Sequence, residues 1–131
     1  MAGQDKVNRV QSFQDLDVWK MSIDLAETIY RASGAWPKEE RFGLTQQIRR
    51  AAASISANIA EGAARNGTRE FLHFLGIAKG SLAETRTFLV LAERLDYLDA
   101  AAAQALILKA EDISRMLAGL TKSLQARVSE K

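Results

Sequence analysis

The amino-acid sequence predicts an all-α protein: an up-down-up-down antiparallel four-helix bundle that self-associates. Three observations predict it. Apolar residues step by alternating threes and fours through four segments. Alanine is abundant and β-branched residues are few and scattered, which leaves little to build strands from. The single proline, Pro37, lies in a break between periodic segments and not inside one.

The first helix carries Val18, Ser22, Leu25, Ile29 and Ala32 on one row, with Trp19, Ile23, Ala26 and Tyr30 beside it. The stretch SGAWPKEE stops it through Gly34 and Pro37. The second helix places Leu44, Ile48, Ile55 and Ile59 on one face and fills the gaps with alanine. It ends near Asn66-Gly67, a turn signal, with Thr68 as the expected N-cap of the third. That third helix repeats Phe71, Leu75, Ala78, Leu82, Thr85, Leu89 and Ala92. The fourth, capped by Asp99, shows Leu106, Ala110, Ile113, Leu117, Leu120 and Leu124. Helices of about 20–28 residues run roughly 30–42 Å, and short connections make consecutive ones antiparallel neighbours. A second apolar row on the third helix, Ile77, Phe88, Leu91 and Leu95, exceeds the needs of one seam; such a wide face serves either a fat core or a subunit interface, and the subunit interface is the expectation here.

Composition sets the outer bounds. The 131 residues suit one domain, with residues 1–11 expected as a loose polar tail and 12–128 as the bundle. Absence of cysteine removes disulfides and thiolate zinc sites and fits a reducing cytosol. There is no signal-peptide-like apolar start and no apolar run of membrane-spanning length, so a cytoplasmic protein is expected.

The stretch AAASISANIAEGAARNG is thin yet holds an amide and a carboxylate. At about 100° per residue, Gln47, Arg50, Ser54, Asn58, Glu61 and Arg65 fall on one flank of the second helix, and Arg49, Ser56 and Ala60 on the other. Gly62 in this helix, and Gly80 in AKGSLAE of the third, are expected to permit close packing. Asn58, Glu61, Ser81 and Glu84 then form either a buried polar network that fixes register or a set of solvated positions.

Three runs, FQDLDVWKMSIDLAETIY, FGLTQQIRRAAASISANIAEG and FLHFLGIAKGSLAE, together resemble the 23S rRNA intervening-sequence protein family over roughly residues 12–98. The resemblance implies a small all-α bacterial protein that is commonly a ring-shaped homopentamer. A related branch is the accessory variability protein of diversity-generating retroelements, a basic ring that engages nucleic acid and a reverse transcriptase. The family patterning falls on Arg49, Arg50, Asn58, Glu61, Gly62, Gly80, Ser81 and Glu84, without separating functional from structural roles.

Charge is nearly balanced overall, 18 basic against 16 acidic residues, but not locally. Residues 38–69 hold Lys38, Arg41, Arg49, Arg50, Arg65 and Arg69 against Glu39, Glu40 and Glu61, a net of +3, whereas residues 12–33 are acidic. Arg49, Arg50, Arg65 and Arg69 are therefore the candidate contacts to RNA or DNA, since a guanidinium grips phosphate bidentately. The competing reading sets these arginines against the acidic first helix and makes the protein an interaction scaffold for an unidentified protein. Glu70 and His73 have the Glu-x-x-His spacing of di-metal bundles, but one histidine cannot complete such a site. With no assembled nucleophile and base, a non-enzyme with no cofactor and no metal is expected.

Overall fold

The computed structural model of this chain describes residues 13–129. The expected tail, residues 1–11, lies outside them. Four helices account for most of the chain: α1 (Asp17–Ser33), α2 (Leu44–Ala63), α3 (Thr68–Arg94) and α4 (Ala100–Ser129). Short 3-10 turns at Phe13–Asp15 and Lys38–Glu40 precede α1 and α2. The described residues contain no strand.

Each helix packs on the next and α1 closes against α4, while the diagonal pairs stay apart, so the four axes form a square bundle. The rows expected from spacing face its centre. Leu25, Ile29, Ile48, Ile55, Ile59, Leu75, Leu89 and Ile113 are almost wholly buried. Ser22 and Thr85 interrupt these rows but cost little, because each hydroxyl donates to the carbonyl one turn earlier, Val18 and Ser81 respectively. The 17, 20, 27 and 30 residues of the four helices show α1 shorter and α4 longer than expected.

Helix ends follow local chemistry. Leu44 N–H at the start of α2 is taken by the Glu40 carboxylate at 3.0 Å. The N-cap of α3 is Gly67, with Thr68 already inside the helix; this corrects the expected cap, and no side chain bonds there. Asp99 does cap α4, its Oδ1 accepting from Ala102 N–H at 2.7 Å. Asp96 ends α3 in the left-handed region, φ 63°, which aspartate tolerates better than most residues. Tyr97 N–H then returns to the Ala92 carbonyl at 2.9 Å.

Of the second row of α3, only Phe88 packs against the core. Ile77, Leu91 and Leu95 are 41%, 42% and 44% exposed, and Phe88 is half-buried. On α1, Ala26 is buried but Ile23 and Tyr30 face outward.

Candidate functional site

The polar flank of α2 lies along its seam with α3, the most extensively packed pair in the bundle. Ser54 is the hub. Its Oγ accepts from Ser81 Oγ across the seam at 2.9 Å and from Asn58 Nδ2 at 2.9 Å. Asn58 Nδ2 also donates to the Ser54 carbonyl at 2.8 Å. Asn58 therefore bonds within its own helix and does not reach across, and the crossing is made by two serines. Ser54 is a residue that spacing placed on the flank without singling it out; the signal available was its position one turn before Asn58.

Glu61 and Glu84 do not join this network. The Glu61 side chain is 49% exposed and pairs at 2.6 Å with Arg65, four residues on in the turn that follows α2. Glu84 is exposed at the rim of a groove of about 330 Å³, opposite Arg50 and Gln47, with Ser54, Ser81 and Phe88 below. The expected four-residue buried network is thus a Ser54–Ser81–Asn58 cluster with two exposed carboxylates beside it. The reason is helical phase: Glu61 and Glu84 lie far enough round their helices to meet water.

The two candidate packing glycines also separate. A Cβ on Gly62 would lie 2.9 Å from Phe71 Cδ1 and 2.9 Å from Phe74 Cβ, so α3 seats its aromatics directly on that backbone. A Cβ on Gly80 would meet nothing within 4 Å. Gly80 therefore does not pack inside the bundle, a correction that follows from its outward phase on α3.

The four arginines do not form one patch. Arg49 turns toward α1, where Nε donates to Ser33 Oγ at 2.8 Å, Nη2 donates to the Tyr30 carbonyl at 3.0 Å, and the guanidinium lies 4.8 Å from the Tyr30 ring centre. Arg50, about 100° round the helix, is exposed at the α2–α3 groove with no ion-pair partner among the described residues. Arg65 is held by Glu61 and lies 4.9 Å from the Phe74 ring centre. It lies past the end of α2, whose last residue Ala63 is roughly 20 Å along the axis from Arg50 at 1.5 Å per residue. Arg69 is exposed at the start of α3, where Gly67, Glu70 and Val128 border the same shallow hollow. Glu70 and His73 are exposed, His73 resting against Phe74 with ring centres 5.1 Å apart. Among the described residues no three His, Asp or Glu side chains gather as metal ligands, and no helix is long and apolar enough to cross a membrane.

At one end of the bundle, spacing gave no warning of a second cluster. Trp36, buried in the α1–α2 connection, packs on Tyr97 from the α3–α4 turn at a ring separation of 5.6 Å. Tyr97 OH donates to Glu40 Oε2 at 2.8 Å. The Leu44 N–H, and secondarily Tyr97, hold the Glu40 carboxyl below its ordinary value, against a smaller opposing effect of burial. The same bond pushes the Tyr97 hydroxyl above its own. This cluster ties two connections together.

The family model described as "23S rRNA-intervening sequence protein" matches residues 14–119. Among solved structures, a protein of unknown function from the S23 ribosomal protein family of Bacteroides thetaiotaomicron is similar with a TM-score of 0.72 and 26% identity, covering 80% of this chain and 98% of that one. No curated protein matches.

Proposed function

The chain belongs to the 23S rRNA-intervening sequence protein family, and from that premise we propose that it is a cytoplasmic, non-enzymatic, self-associating scaffold whose α2–α3 face is the contact between copies. One observation carries this reading: the apolar row Ile77, Leu91 and Leu95, exposed on α3 although the core is already complete without it. Such a row is costly to leave in water, and the large exposed apolar patches of soluble proteins mark interaction sites. Gly80, open in the single copy, lets another backbone approach at the centre of the row. Arg50 and Glu84 at the adjoining groove supply opposite charges for orientation. A ring of five is the assembly that the family resemblance leads one to expect, and in a ring this face of one copy would meet a different face of the next.

Native mass spectrometry and light scattering test it. Wild type should give a multiple of 14.4 kDa, and Leu91→Lys/Leu95→Lys should fall to the single-chain mass with its helicity intact. A wild type that runs at 14.4 kDa at tens of micromolar would overturn the reading.

A second reading, association with RNA or DNA, is favoured by Arg50 and Arg69, both exposed and without ion-pair partners among the described residues. Repetition around a ring would let such weak contacts add as avidity. Anisotropy of labelled structured RNA and duplex DNA at two salt concentrations checks it: binding should weaken with salt and in Arg50→Ala/Arg69→Ala. Arg49→Ala is the wrong probe, because that side chain is engaged in holding α1.

A further inference from the structure

We propose that the groove between α3 and α4 is a docking site for an acidic amphipathic helix of a partner protein. The groove is on another side of α3 from the Ile77–Leu95 row and shares no residue with it, so the proposal goes beyond the contact assigned to that row. Its volume is about 750 Å³, with half-buried Leu72 open to it and the core residues Leu75 and Leu117 beneath as an apolar floor. Lys79 on α3 and Lys122 on α4 form its two walls, and none of its lining residues is acidic.

The gap has a local cause. Further along the seam the two helices are bridged by Arg86 and Glu111 at 3.7 Å. Counting back turn by turn from that pair sets Gly76 across from Thr121 and Lys79 across from Ala118. Gly76, Ala118 and Thr121 thus leave space where larger side chains would have closed the seam, and a Cβ on Gly76 would meet nothing within 4 Å. From Ser114 to Gln125 the groove follows α4 for roughly 16 Å, about three helical turns.

Shape and charge select the occupant. A leucine-type floor under two cationic walls fits a helix whose apolar stripe enters the groove while its glutamates or aspartates meet Lys79 and Lys122. A basic helix would place like charges together. An extended peptide would find no free sheet edge to join, because the described residues contain no strand.

The test uses the full chain and a fluorescein-labelled synthetic helix of about 18 residues, with leucine at i, i+3, i+4 and i+7 and glutamate flanking the stripe. Anisotropy should show saturable binding to wild type. Affinity should fall at least tenfold for Lys79→Glu/Lys122→Glu and for Gly76→Met, which fills the groove at a position where the fold has room. A Lys20→Glu/Lys38→Glu control, with the same change in net charge elsewhere, should bind as wild type does. A peptide of the same composition with its leucines scrambled should not bind. Absence of binding, equal binding by Lys79→Glu/Lys122→Glu, or equal binding of the scrambled peptide would each overturn the proposal. So would a change in native mass on Lys79→Glu/Lys122→Glu, which would make the groove a contact between copies.

Discussion

Arg49 donates to Ser33 and to the Tyr30 carbonyl, whereas Arg50, one position on, ends at an open groove beside Glu84. Ser33 is only 2% exposed, so removing Arg49 leaves a buried hydroxyl without its strongest partner. Arg49→Ala is expected to lower stability by about 1–3 kcal/mol, and Arg50→Ala by less than about 0.5 kcal/mol. Urea unfolding of the two variants decides it; equal losses would show that Arg49 is not a brace. Gly62 and Gly80 differ in the same way. Gly62→Ala forces a methyl to within 2.9 Å of the Phe71 and Phe74 side chains and 3.2 Å of the Phe71 carbonyl, which should cost about 1–3 kcal/mol through overpacking. Gly80→Ala has free space and should raise the stability of the single chain by roughly 0.5–1 kcal/mol through helix propensity. Thermal melts in the Leu91→Lys/Leu95→Lys background, where the chain is single, that move in the same direction for both would contradict this placement.

At the scale of elements, the helices carry their own patterns but their relative placement at one end depends on two connections. Glu40 caps α2 with one oxygen and accepts from Tyr97 of the α3–α4 turn with the other. Because its carboxyl is depressed in the fold, its contribution is fully present above the ordinary value of 4.5 and is lost as pH falls through the lower folded value. Tyr97 is the mirror case: raised in the fold, its contribution holds below 10.0 and is lost as pH rises through the higher folded value. Wild type should therefore lose more of its urea midpoint between pH 7 and pH 3 than Glu40→Gln, whose amide does not titrate. The same drop in both proteins would remove Glu40 from the acid response.

For the whole molecule, the core and the outer faces make separate demands. A square of four helices buries one row from each, and Ile77, Leu91 and Leu95 on α3 have nothing among the described residues to cover them. An assembly formed through that row links folding to association, so the melting temperature should rise with protein concentration by mass action. Melts across a hundredfold range of concentration measure this directly, and the dependence should vanish in Leu91→Lys/Leu95→Lys. A midpoint independent of concentration in wild type would mean that the row stays uncovered.

What the sequence determined by itself was periodic. Steps of three and four residues specify which side of a helix is apolar, and the rows through Leu25, Ile55, Leu82 and Ile113 became the core because burial rewards whichever face is continuous. Asp99 was legible as a cap for a similar reason, since its partner is only three residues away. What the tertiary structure alone decided was reach across helices. Arg49 meeting Tyr30, Ser54 meeting Ser81, and Glu40 meeting Tyr97 join residues 19 to 57 positions apart. No spacing within one helix encodes such pairs. They are fixed by the register at which two helices lie against each other, and that register is set by packing volumes such as the space over Gly62.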